Sequence, residues 1–336
     1  MLVRKSGGRK YSDPDVVAII DDSGGLLDPR SLIRHQVNSL LGQLEDFEGA
    51  PEHALGRITI LASLAGFDVK PMDAVQQAHE KQEAVLMYTC GNGKKGTIFF
   101  NPNKPRARTV FSIAHEITHS FFPTSRTGAR FRSLCKEGSK EGRELEVLCD
   151  FGASELTMPR ARFRLSVERW GFGIASIDQI AREFGASFEA TLYRVAATAN
   201  FAAAAGRACF RLRKSESVET STDRTRSLFA SAALAPEETP VRRYRRQSFH
   251  RSSSFPAELA IPWNKSFPQA SCIYRAAQTG KIEGGAEIVP LGKPGKQLHC
   301  QIEAMPSPFQ PTDADQEWPD ILFLLRACGS LPKRSG

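Results

Sequence analysis

Nowhere in the 336 residues is there an uncharged apolar run of about 18, the length a membrane-crossing helix needs. The N-terminal stretch MLVRKSGGRKYSDPD turns polar before any apolar segment develops, so no secretory leader is read there. The seven cysteines form no Cys-x-x-Cys pair and are odd in number. They argue against a disulfide framework or a zinc knuckle, and for reduced thiols in the cytoplasm. No internal repeat is visible, which excludes solenoids and propellers. What is present is ordinary for a globular chain: 41% hydrophobic, 24% charged and 9% aromatic residues, a balance that excludes global disorder. The length implies two domains or three.

The net charge of +8 is concentrated. Residues 207–251 hold 11 basic and 5 acidic side chains, whereas residues 252–336 hold 8 of each. The excess centres on VRRYRRQSFHR, with Arg242, Arg243, Arg245 and Arg246 around Tyr244 and Phe249. Cations interleaved with aromatics can grip single-stranded DNA through phosphate contacts and stacking. An arginine-rich solvated linker has the same composition.

Hydrophobic periodicity organises the first 200 residues. Leu32, Ile33, Val37, Leu40, Leu41 and Leu44 recur at helical spacing after Asp28-Pro29, and a second helix is expected from Pro51 to Ala65. EAVLMYT and GTIFF read as a hairpin, and ARTVFSIAHEITHSFF as the helix after it. Further helices are expected over 142–157, 175–183 and 187–198. Residues 1–26 read as a tail, 27–200 as one domain, 201–256 as a basic linker and 257–330 as a smaller C-terminal domain. The fold class is α+β: a mostly helical domain with a small sheet, then a smaller α+β domain.

The chemistry gathers at His115-Glu116-Ile117-Thr118-His119, an HExxH motif. Residues four apart share a helix face, so both imidazoles can reach one metal ion while Glu116 contacts a water on it. Val110, Phe111, Ile113 and Ala114 precede the motif, which places it in a core rather than on a surface. A catalytic zinc site needs a third protein ligand and an open position. Glu146 and Asp150, one turn apart on the next helix, supply a ligand and an acceptor for the outer N–H of a ligating histidine. Glu144 points roughly 160° away from Glu146 around that helix and is the weaker candidate. Glu116 then serves as general base.

Taken together, GTIFFNPNKPRARTVFSIAHEITHSFFP and LEVLCDFGASELTMP resemble the signature of ImmA/IrrE-type zinc metallopeptidases, and SIDQIAREFGASFEATLYRVA resembles the helical pair that follows there. The resemblance implies zinc on His115, His119 and an acidic residue of the second helix, with Glu116 catalytic. It implies a regulatory protease acting on a helix-turn-helix repressor, which derepresses stress or phage-defence genes. In the CapP-like branch a C-terminal, GAF-like sensor domain and nucleic-acid sensing are added, and residues 257–330 and the arginine window are compared with these. Cys90, at the hairpin tip, is a candidate fourth zinc ligand that would displace the water and hold the enzyme off.

A different class remains open: a DNA-binding regulator, or a zinc-stabilised binding module without proteolysis. IDQIAREFGASFEATLYRV has a helix-Gly-helix look. Its only cations are Arg182 and Arg194, so a structural helical pair is favoured over a recognition helix.

Overall fold

The computed structural model describes residues 4–6, 9–24, 28–46, 51–73, 83–88, 95–122, 140–212, 241–291, 296–309 and 318–328. The chain packs into two compact units, Met1–Ser166 with Gln179–Ser187, and Val167–Asp178 with Phe188–Gly336.

In the first unit, β1 (Arg4–Ser6) and β2 (Arg9–Tyr11) pair antiparallel, and α1 (Pro14–Asp22) follows. The Asp13 side chain accepts from the backbone N–H groups of Asp15 and Val16, and Pro14 presets the first helical φ. Residues 14–22 are therefore not a tail. The β-branched VVAII run favours a strand by composition, but the cap and the burial of Val16 and Ile20 override it. The helix α2 (Pro29–Glu45) starts at an Asp28 cap and buries Ile33, Val37, Leu40 and Leu44. The next helix, α3 (Ala54–Leu64), gives way to Gly66 at φ +96°, a left-handed conformation that glycine takes without steric cost.

That turn feeds a three-stranded sheet. Its central strand, β5 (Gly96–Phe100), runs parallel to β3 (Phe67–Pro71) and antiparallel to β4 (Ala84–Tyr88). Only the last two strands are visible in the sequence pattern. Within FDVKP just Phe67 is buried, too short an alternation to read. From β5 the chain turns through Asn101-Pro102 into α4 (Arg106–His119), and α5 (Lys140–Thr157) packs along it. Two further helices, α6 (Arg160–Trp170) and α7 (Ile177–Phe184), each contain a boundary between the units.

The second unit is built on a five-stranded antiparallel sheet. Its strands are β6 (Ala203–Arg211), β7 (Arg243–Arg251), β8 (Glu283–Pro290), β9 (Gln297–Pro306) and β10 (Ile321–Ala327), in the order β7-β6-β10-β9-β8. The helix α8 (Phe188–Thr198) packs on β6, β7 and β10, and α9 (Cys272–Thr279) on β8, β9 and β10. Residues 203–211 and 243–251 thus belong to the sheet rather than to a linker. Composition conceals them for opposite reasons. Alanine has weak strand propensity, yet Ala203, Ala204, Ala205 and Ala208 are all fully buried. In β7 the arginines mask a strand whose Tyr244 is fully buried. Residues 213–240 of the expected linker lie outside the described residues.

Candidate metal centre

Burial all round α4 is what sets this site apart from an ordinary helix face. Nearly every residue from Thr109 to His119 is buried, including His115, Glu116 and His119. The helix is anchored by Glu83, just before β4, which pairs with Arg108 at 2.7 Å and accepts from Ser112 Oγ at 3.0 Å. Its partner α5 presents Leu145, Leu148, Cys149, Ala153 and Leu156 to the core. The two helices approach closely at Gly152. A Cβ there would collide with the Thr118 side chain, coming to 2.7 Å from its Oγ1 and 3.0 Å from Ile33 Cγ2. Only glycine lets α5 lie near enough for its side chains to reach the histidines.

Three donors converge as a result. His115 Nε2 lies 3.1 Å from His119 Nε2, and the Glu146 carboxylate lies 3.2 Å from the first and 3.6 Å from the second. Tetrahedral coordination at metal–ligand distances near 2.0–2.1 Å separates donors by about 3.3 Å, so these gaps match an ion-sized vertex. Two imidazoles and a carboxylate suit a borderline divalent ion.

The outer ring nitrogens are also engaged. His115 Nδ1 lies 2.9 Å from Asp150 Oδ1, and His119 Nδ1 lies 3.4 Å from Cys149 Sγ. With Nδ1–H donating in both, each Nε2 keeps its lone pair for the shared vertex. His115, His119 and Cys149 also bring ligand atoms within 4.8 Å of one another, a group that could itself bind a metal. Burial pushes the Cys149 thiol well above its ordinary pKa, with the fields of Glu146, Glu116, Asp150 and Asp13 adding to the effect. Sequence reasoning passed over Cys149. Its place in the spacing 145-148-149-152-153-156 puts it on the apolar stripe of α5, and that was the available signal.

Other candidates fall elsewhere. Glu144 turns to α1, where it accepts from the backbone N–H groups of Ser12 at 2.8 Å and Asp13 at 3.0 Å. Cys90 lies outside the described residues. The four arginines do not make one patch. Arg242 and Arg243 are exposed, but Arg245 is 7% exposed and donates to the carbonyls of Arg211 and Asn264. Arg246 is half-buried over the Phe249 ring, and burial lowers its pKa. Tyr244 is buried with its hydroxyl donating to Pro319 O, and Phe249 packs on Phe255 and Phe323, so neither ring is offered to a base. Strand alternation divides the run between two faces, which a residue count cannot show. In the helix-Gly-helix segment, Arg194 is buried and the Glu189 and Tyr193 side chains of α8 bond to Arg207 and Ser248 of the sheet. That helix is packed as part of a core and not held out as a recognition helix.

A buried HExxH helix with an acidic partner helix defines a metallopeptidase-type site, and comparison with known proteins agrees. Residues 66–196 match the family model of the IrrE N-terminal-like domain, an M78 peptidase family. This part of the chain is similar to the ImmA/IrrE family. Among solved structures, one described as a Mycobacterium tuberculosis transcriptional regulator is similar in fold, with a TM-score of 0.50 at 13% identity, covering 93% of this chain and 80% of that one. No curated protein matches.

Proposed function

We propose that this chain is a zinc-dependent endopeptidase that cleaves a helix-turn-helix transcriptional repressor, and so relieves repression of stress or defence genes. The observation that carries the reading is the convergence of His115 Nε2, His119 Nε2 and the Glu146 carboxylate within 3.1–3.6 Å, with Glu116 beside the first histidine. His115, His119 and Glu146 would hold the ion, and Asp150 would fix the tautomer of His115. When bound, zinc lowers the pKa of a water and polarises a peptide carbonyl. The carboxylate of Glu116 takes the proton from the attacking water and delivers it to the departing amine nitrogen. Burial of Glu116 excludes bulk water from that transfer. The repressor as substrate class rests on the similarity to the ImmA/IrrE family. In this reading residues 27–200 carry the peptidase, and the C-terminal sheet serves as its sensor-like, GAF-like part. Cys90 is retained as a candidate inhibitory ligand.

The test pairs zinc content with cleavage of a candidate repressor for wild type and Glu116→Gln. The expected outcome is about one zinc per chain in both proteins, with cleavage by wild type alone. Zinc in both with cleavage by both would remove Glu116 from the reaction, and a wild type without zinc would overturn the reading.

A further inference from the structure

The two histidines are held by unlike partners, and that asymmetry has a chemical meaning. His115 is backed by a carboxylate, as is common for metal-binding imidazoles. His119 is backed by a fully buried thiol, Cys149, one residue before that carboxylate on α5. Adjacent positions on a helix lie about 100° apart, so α5 serves the two rings from neighbouring faces. The Cys149 sulfur sits against Nδ1, while the edge of the ring shared with His115 and Glu146 carries Nε2. An atom at Nδ1 cannot take part in the vertex at Nε2 of the same ring.

We infer that Cys149 is not a metal ligand but the positioning residue for His119, accepting its Nδ1–H through sulfur and thereby presenting Nε2 to the ion. This rests on the metal-site reading proposed above. The direction of the hydrogen bond is decisive. Were the thiol to donate to Nδ1, the proton would sit on Nε2 and block coordination, so the metal-competent form has Nδ1–H donating. Sulfur is a weak acceptor, so this contact orients its imidazole less strongly than a carboxylate in the same place would.

Three measurements test this. Cobalt(II) loaded into wild type in place of zinc should show no intense near-ultraviolet sulfur-to-metal charge-transfer band. Such a band, lost in Cys149→Ala, would make Cys149 a ligand and overturn the inference. Chelator competition should find zinc held about 10–100-fold more weakly by Cys149→Ala, with part of the loss recovered in Cys149→Ser. Unchanged affinity in the folded alanine variant would equally overturn it. Nitrogen-15 shifts of His119 in metal-free wild type should report the Nδ1–H tautomer, and the opposite tautomer would refute the inference even in a protein that binds no ion. A wild type that takes up neither zinc nor cobalt while keeping the Nδ1–H tautomer would fault the metal reading and leave the positioning role standing.

Discussion

At the scale of single residues, the site is a set of polar groups that burial would penalise unless each had a partner. Asp150 is half-exposed, yet it sets the tautomer of a histidine that is wholly buried. Its oxygen accepts from Nδ1, so removing it takes away the acceptor that favours the Nδ1–H tautomer of His115. Asp150→Ala is expected to weaken zinc binding by about 10–100-fold while leaving the fold intact, as read by chelator competition alongside far-ultraviolet circular dichroism. This much of the site was legible in the sequence wherever it depends on the periodicity of one helix. His115 and His119 are four apart, as are Glu146 and Asp150, and spacing alone puts each pair on one face. Cys149 was not legible as a partner of His119, because that contact depends on the rotation of α5 against α4.

Elements decide that rotation. The α4–α5 approach is set at Gly152, where a methyl group would strike Thr118 and Ile33. The Thr118 hydroxyl is already committed to Ala114 O at 2.9 Å, so it cannot swing aside freely. Gly152→Ala is therefore expected to destabilise the first unit by about 1–3 kcal/mol, despite the better helix propensity of alanine, and to weaken metal binding by separating the helices. Urea denaturation with and without zinc would measure both effects. The same scale explains which elements the sequence disclosed. The helices α2 and α5 carry long amphipathic stripes between clear boundary residues, and their spans follow from the pattern. In contrast α1 is a short β-branched run, β6 is mostly alanine and glycine, and β7 carries four arginines among nine residues. Each is specified by what it packs against, which no local window contains.

For the molecule as a whole, two hydrophobic cores imply two folding transitions with different sensitivities. One core gathers Ile33, Val37, Ile113, Ile117 and Leu148 around the helices of the candidate site, and the other gathers Tyr244, Ile273, Ile302 and Phe323 around the five-stranded sheet. A metal ion held by α4 and α5 stabilises only the first. At a free zinc concentration 1,000 times the dissociation constant, that stabilisation is about 4 kcal/mol. Differential scanning calorimetry is therefore expected to show one transition that falls on chelation and one that stays in place. If both fell together, the two cores would unfold as one cooperative body.

The path of the chain has a consequence for how such a protein can be inherited. Sequence 167–178 belongs with the second unit and 179–187 with the first, so neither unit is one uninterrupted stretch. Phe184 packs on Phe163 at 5.2 Å between ring centres, and Gly185 lies against Ala54, so the returning segment completes the first core. A gene fragment ending at Ser166 would encode a first unit with that flank stripped bare. Recombination at any one breakpoint between Ser166 and Phe188 would therefore leave at least one unit incomplete, and the two units are expected to travel between genomes together.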